Sequence, residues 1–164
     1  MIVVYYDGAC GPNNPGGHGG SGIYITQNER LLYQESYYIG HGPHISNNVS
    51  EYVAVIRALS YLLDQKLNHE NITLYGDSNL TVLQLSDKWK CKKGLYKQYF
   101  LMAKDLKKHF TDISFVWIPR EQNCIADELS KKAIFTHKNK TVDLCGPGLL
   151  HRETTSQVQI EMGL

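Results

Sequence analysis

Regular structure begins in this chain with the segment Val3-Val4-Tyr5-Tyr6-Asp7-Gly8-Ala9-Cys10. Its β-branched and aromatic residues are typical of a buried strand, and Asp7-Gly8 is a pair that commonly forms a turn. Because a strand that ends on an acid places that acid at the rim of a sheet, the segment predicts one carboxylate at a sheet edge. The other predicted elements are arranged around this strand.

The first three strands are expected to be antiparallel neighbours. Residues 8–22 contain seven glycines and two prolines, which predicts a long shaped loop rather than regular structure. Residues 22–26 and 31–39 then read as strands, and the polar residues 27–30 between them have the length of a hairpin connection.

Helices alternate with strands in the rest of the chain. Ser46-Asn47-Asn48 supplies N-cap residues, and the apolar positions that follow have helical spacing. The further predicted elements are a strand at 72–75 that runs into Asp77, helical patterns at 80–85 and 96–110, a strand at 113–118, and a last helix that Asn123 can cap. This order predicts an α/β domain with a mixed five-stranded sheet, three strands antiparallel and two reached by crossovers, flanked by helices.

The chain of 164 residues is the size of one ordinary domain. We expect a domain at residues 1–135 and a C-terminal tail at 136–164, where no helix is predicted. Alternation at Val158, Ile160 and Met162 allows a late strand there, and disorder is an equal alternative.

Bulk composition restricts the class of protein. The net charge is +1, so affinity for nucleic acid has to come from a local cluster of basic residues. The four cysteines are far apart and follow no secretory leader, which favours reduced thiols in an intracellular, cytoplasmic protein. No apolar run approaches the roughly 20 residues needed to cross a bilayer. We expect no membrane association.

Four acids fall at chemically suggestive positions: Asp7, Glu51, Asp77 and Asp127. Each also has a structural explanation, as a turn former, a capping-box partner of Asn48, a helix cap and a first-turn acid, respectively. Their predicted convergence at one rim of the sheet favours a site, because clustered carboxylates repel one another unless a cation lies among them. Oxygen ligands favour Mg²⁺ or Mn²⁺ over zinc, and paired cations of this kind serve phosphoryl transfer.

In order and spacing, four segments resemble the motifs of type 1 ribonuclease H. They are Asp7-Gly8-Ala9-Cys10 with Asn14-Pro15-Gly16, then residues 46–54, residues 74–78 and residues 123–130. The resemblance covers residues 1 to about 135 and implies the RNase H-like fold. It implies an endonuclease that hydrolyses the RNA strand of RNA/DNA hybrids with two Mg²⁺ or Mn²⁺ ions, leaving 3′-hydroxyl and 5′-phosphate ends. The four acids would bind both ions, with Asp7 between them.

The same resemblance implies contacts to the hybrid. Residues that match minor-groove positions are Cys10, Asn14, Asn47, Asn48 and Asn79, and Ser46 matches a phosphate contact. Trp89 would line the channel for the DNA strand, beside the lysines at 88, 90, 92, 93 and 97. Cap or loop roles for the asparagines, and a solvated lysine face beside Trp89, are the structural alternatives. Amides and backbone groups can read the 2′-hydroxyl that distinguishes RNA from DNA.

Two departures from the family pattern concern turnover. No histidine lies between His109 and His137, where many members have a loop histidine, and Arg120 and Glu121 are candidates for the later steps, with a surface-loop role as the alternative. The basic segment around Trp89 is also shorter than the protrusion of many bacterial members. His41 and His44 are interpreted as loop residues.

Two competing functions stay open. One is another carboxylate-dependent nuclease or strand-transfer enzyme of the RNase H-like group, and the other is a hybrid-binding module with little turnover. We expect a monomer without an obligate protein partner.

Overall fold

The computed structural model describes residues 1–143, and side chains through residue 138. Within residues 1–143, five strands and four helices form in the order β1 (Ile2–Gly11), β2 (His18–Gln27), β3 (Arg30–His41), α1 (Asn47–Asp64), β4 (Asn71–Gly76), α2 (Asn79–Leu85), α3 (Lys97–Lys107), β5 (Asp112–Trp117) and α4 (Cys124–Asp143). A single 3-10 turn, Arg120–Gln122, precedes α4. The strand considered for Val158, Ile160 and Met162 lies outside the described residues.

The sheet has the strand order β3-β2-β1-β4-β5. Strand β1 is antiparallel to β2 and parallel to β4, and β5 continues the parallel half. Asn28 and Glu29 both have positive φ between β2 and β3, the backbone that a two-residue hairpin turn requires. The predicted mixed sheet with three antiparallel strands and two crossovers is confirmed.

The main core lies between the sheet and α1. Alternate residues of β1, namely Ile2, Val4 and Tyr6, are fully buried, as a strand with one face on the core requires. Tyr52 and Leu59 of α1 are also fully buried in this cluster. This packing fixes the helix that carries Glu51 against the strand that carries Asp7.

The glycine-rich segment is mostly strand, so the predicted long loop was wrong. Strand β1 continues to Gly11 and β2 begins at His18, which leaves only residues 12–17 as a connection. A Cβ on Gly20 would lie 2.2 Å from the Ser130 carbonyl oxygen, and a Cβ on Gly22 equally close to the Ala126 carbonyl oxygen. These glycines therefore allow α4 to lie directly on β2.

The last helix is longer than predicted. Helix α4 continues to Asp143, eight residues past position 135, so the expectation of no helix after residue 135 was wrong. The division between a domain at 1–135 and a tail at 136–164 stays a prediction. Within residues 1–143, no helix is both long and apolar enough to span a membrane.

Candidate active site

Three carboxylates meet at the rim of the sheet. One oxygen from each of Asp7, Glu51 and Asp77 lies within 4.8 Å of the other two. Asp77 directly follows the end of β4, and Tyr5 pairs with Tyr75 in the parallel register, so Asp7 and Asp77 lie at the same level of the sheet. The end of β4 thus defines this rim, since β1 itself continues four residues beyond Asp7.

Three of the four structural explanations for the acids do not hold. Asp7 lies inside β1 rather than in a turn. The N-cap of α1 is Ser46, whose side chain accepts from Val49 N, so Glu51 is not the partner of an Asn48 capping box. Ser78, not Asp77, caps α2. The location of Asp127 in the first turn of α4 is confirmed.

Burial makes the cluster electrostatically costly. Asp7 and Glu51 are 5% and 6% exposed. Burial, together with the charges of Asp77 and Asp127, raises the pKa of Asp7 to about 6, although a hydrogen bond from Ser130 opposes this rise. Burial, followed by the charges of Asp7 and Asp77, raises the pKa of Glu51 well above its usual value. A cation among these groups would offset the repulsion.

The donor set fits a hard divalent cation. All three converging ligand atoms are carboxylate oxygens, which is the ligand type that Mg²⁺ and Mn²⁺ prefer. Glu51 Oε2 is buried and has no hydrogen-bond partner among the described residues. A buried carboxylate oxygen without a partner is costly, and a metal ligand role would remove that cost.

Two residues that were not predicted to belong to the site hold the acids in place. Ser130 Oγ donates to Asp7 Oδ2 at 2.6 Å. Asn123 Nδ2 donates to Asp77 Oδ1 at 3.2 Å and to the Tyr6 carbonyl oxygen at 2.9 Å. Asn123 was expected only as a helix cap, and its buried amide instead joins the start of α4 to two strands of the sheet.

The fourth acid lies beside the cluster rather than in it. Asp127 accepts hydrogen bonds from Arg120 Nη2 at 2.7 Å and from Lys131 Nζ at 2.5 Å. Burial alone would raise the pKa of Asp127, but the hydrogen bonds from Lys131 and Arg120 lower it below its usual value. Asp127 is therefore an ionised carboxylate that is already paired with two cationic side chains.

A cavity of about 450 Å³ joins these groups. It is lined by all four acids, by Arg120 and Lys131, and by the predicted substrate residues Cys10, Asn47 and Asn48. The structure thus brings the acids, two cationic side chains and part of the predicted groove together on one open surface.

The remaining predicted substrate residues lie around this cavity. Asn14 Oδ1 accepts from the Asn47 backbone N–H at 3.0 Å, which ties the glycine-rich connection to the start of α1. Ser46 serves as the N-cap of α1, and Asn79 is an exposed residue at the start of α2. Glu121 is exposed and lies in the 3-10 turn before α4.

The basic segment is open to solvent. Trp89 is 52% exposed, and the lysines at 88, 90, 92, 93 and 97 are all exposed. An exposed tryptophan among lysines is a suitable surface for stacking and phosphate contacts. Its role in this protein stays a prediction.

Comparison with known proteins gives the family. Residues 5–133 match the family model described as reverse transcriptase-like. EbsB of Enterococcus faecalis is 30% identical over 134 residues, which are 82% of this chain and 94% of that protein. Ribonuclease HI of Halobacterium salinarum is 30% identical over 133 residues, which are 81% of this chain and 64% of that protein. The chain spans 35% of the length of the mycobacterial relatives it matches.

Solved structures agree with this grouping. The crystal structure of LC11-RNase H1 in complex with an RNA/DNA hybrid has a TM-score of 0.76 and 36% identity, covering 84% of this chain and 99% of that one. The chain belongs to the reverse transcriptase-like family. Within that family it is a type 1 ribonuclease H, a nuclease of the hydrolase class.

Proposed function

We propose that this ribonuclease H cleaves the RNA strand of RNA/DNA hybrids with two divalent cations, Mg²⁺ or Mn²⁺, and leaves 3′-hydroxyl and 5′-phosphate ends. The observation that carries the proposal is the convergence of Asp7, Glu51 and Asp77 within 4.8 Å on an open cavity. The relative LC11-RNase H1, solved with an RNA/DNA hybrid, supports the choice of substrate.

The acids have distinct parts in this proposal. Asp7, Glu51 and Asp77 would hold one cation, and Asp7 with Asp127 would hold the second. When bound, such cations supply positive charge for activating a water molecule and for stabilising the leaving oxygen. Ser130 and Asn123 keep the carboxylates of Asp7 and Asp77 in fixed orientations, which limits the reorganisation needed on binding.

Recognition of the hybrid would use two surfaces. Cys10, Asn47 and Asn48 line the cavity beside the acids, where they can face the minor groove and its 2′-hydroxyls, with Asn14, Ser46 and Asn79 at its margin. Trp89 and the neighbouring lysines would receive the DNA strand, so binding should weaken as salt rises. Arg120 and Glu121 stay candidates for the later steps of turnover.

One gel tests the proposal against its alternatives. A labelled RNA/DNA hybrid is incubated with the protein in Mg²⁺, in Mn²⁺ and in EDTA, beside duplex DNA and a four-way junction. We expect cation-dependent cleavage of the RNA strand alone. Cutting of duplex DNA or of the junction would instead favour a strand-transfer or resolvase function. Binding of the hybrid without cleavage would favour a module with little turnover.

The end groups need a separate measurement. Products should accept 3′ extension by a polymerase and should carry a phosphate that phosphatase removes from their 5′ ends. A 3′-phosphate or a cyclic phosphate would contradict the proposed chemistry. The monomeric state and the intracellular location expected from the sequence stay predictions.

A further inference from the structure

Asp127 is held by two cationic side chains that face the same cavity as the acidic cluster. Arg120 and Lys131 both contact its carboxylate, at 2.7 and 2.5 Å, one on each oxygen. Both oxygens are therefore occupied by protein donors. The carboxylate that should complete the second cation site is thus paired with cations from the protein itself.

The ion pair with Lys131 is held by the geometry of α4. Lys131 lies four residues after Asp127, one helical turn away, where side chains of opposite charge meet. An ordinary helix pair of this kind is a surface feature, but Lys131 also lines the cavity together with Asp7 and Glu51. Its side chain is 57% exposed, so the ammonium group remains accessible to a ligand that enters the cavity.

We propose that Lys131 is a positioning residue that holds Asp127 away from the second cation until a phosphate of the nucleic acid draws the ammonium group off. An ammonium group and a divalent cation compete for the same carboxylate oxygens. A phosphate is an alternative anionic partner for the lysine. The second cation is therefore bound tightly only when the substrate is in place.

The ion pair between Lys131 and Asp127 is weak enough for the lysine to move to a phosphate. A partly exposed ion pair contributes little net free energy, so moving Lys131 from Asp127 to a phosphate costs little. Arg120 keeps a hydrogen bond to the other oxygen of Asp127, which limits how much a change at Lys131 alone can release. This inference rests on the proposed function for the identity of its ligands, but neither of its two tests measures cleavage.

The experiment is a titration of the hybrid-free protein with Mn²⁺ by isothermal calorimetry. Lys131→Ala should bind the second, more weakly held Mn²⁺ ion about threefold to tenfold more tightly than the wild type does, because the Lys131 ammonium group no longer competes for Asp127. Lys131→Arg keeps the charge and should resemble the wild type. Lys132→Ala is the matched control, since Lys132 is the next residue on α4, is exposed, and lines a different surface with Ser36 and Tyr38.

A second measurement tests whether Lys131 binds a phosphate of the hybrid. In EDTA, Lys131→Ala should weaken hybrid binding by about threefold to tenfold and reduce the salt dependence of that affinity by about one phosphate contact. Circular dichroism verifies that each variant is folded. Equal Mn²⁺ affinity in Lys131→Ala and Lys132→Ala would overturn the inference, as would hybrid affinity that does not depend on residue 131. A protein that binds Mn²⁺ as expected but does not cleave hybrids would contradict the proposed function and leave this competition intact.

Discussion

Replacing Asp7 by Asn should stabilise the metal-free protein while it abolishes hydrolysis. The Asp7 carboxyl is buried among Glu51 and Asp77, and its pKa is raised from 3.8 to about 6. A shift of about two pKa units corresponds to about 3 kcal/mol against the ionised form in the folded state. Asparagine has no charge to bury, and its Oδ1 can still accept the hydrogen bond from Ser130.

The direction of the Asp7 pKa shift determines how the free energy of unfolding depends on pH. Because the pKa of Asp7 is higher in the folded state than in the unfolded state, the folded protein binds more protons between about pH 4 and pH 6. The free energy of unfolding of the wild type should therefore fall as pH rises through this range. The advantage of Asp7→Asn should be near zero at pH 4 and about 2–3 kcal/mol at pH 7.5.

The assay is urea unfolding in EDTA, followed by tryptophan fluorescence at pH 4 and pH 7.5. Asp127→Asn is the control with the opposite expectation, since the pKa of Asp127 is lowered and its charge is stabilising. If Asp7→Asn is no more stable than the wild type at pH 7.5, the electrostatic cost assigned to the cluster is wrong. Cleavage of a hybrid by Asp7→Asn at the wild-type rate would refute the assignment of the site.

Three further predictions concern the supports of the site and its surface. Ser130→Ala removes the hydrogen bond that lowers the pKa of Asp7, so the acidic limb of the pH–rate profile should move to higher pH. Gly20→Ala should destabilise the fold by about 2 kcal/mol or more in urea unfolding, because the new Cβ would lie 2.2 Å from a backbone oxygen of α4. The control is Gly11→Ala, where the new Cβ would meet no atom within 4 Å and should lower the free energy of unfolding by less than about 1 kcal/mol. Trp89→Ala should weaken hybrid binding about tenfold in fluorescence anisotropy, because it removes an aromatic ring on which a base can stack. The free energy of unfolding should change little, since Trp89 is half exposed. Unchanged hybrid affinity would show that Trp89 does not belong to the binding surface.

Local patterns in the sequence were sufficient to predict most of the fold and to predict that the four acids lie close together. The hairpin at Asn28 and Glu29, the helix after Ser46 and the strand before Asp77 are each determined by residues within a few positions. The glycine-rich segment was misread because glycine usually breaks a strand, and the reason for Gly20 and Gly22 is a helix more than 100 residues away in the chain.

The supports of the site could not be predicted for a similar reason. The bonds from Asn123 to Tyr6 and from Ser130 to Asp7 join residues 117 and 123 positions apart. Nothing in the neighbouring sequence of either residue indicates such a partner. The pairing of Asp127 with Lys131 has the spacing of an ordinary helix pair, and only the folded structure shows that it faces the cavity.

The close contact of α4 with β2 has a consequence for how this chain can diverge. Single replacements on the outer surface of the helix, as at Phe135, which is 67% exposed, meet solvent and should accumulate freely. An insertion of one residue between Asn123 and Ser130 would rotate one end of this segment against the other by about 100°. Either the hydrogen bond from Asn123 to Asp77 or the hydrogen bond from Ser130 to Asp7 would then be lost. Lineages of this enzyme should therefore vary the exposed surface of α4 but keep the length of this segment.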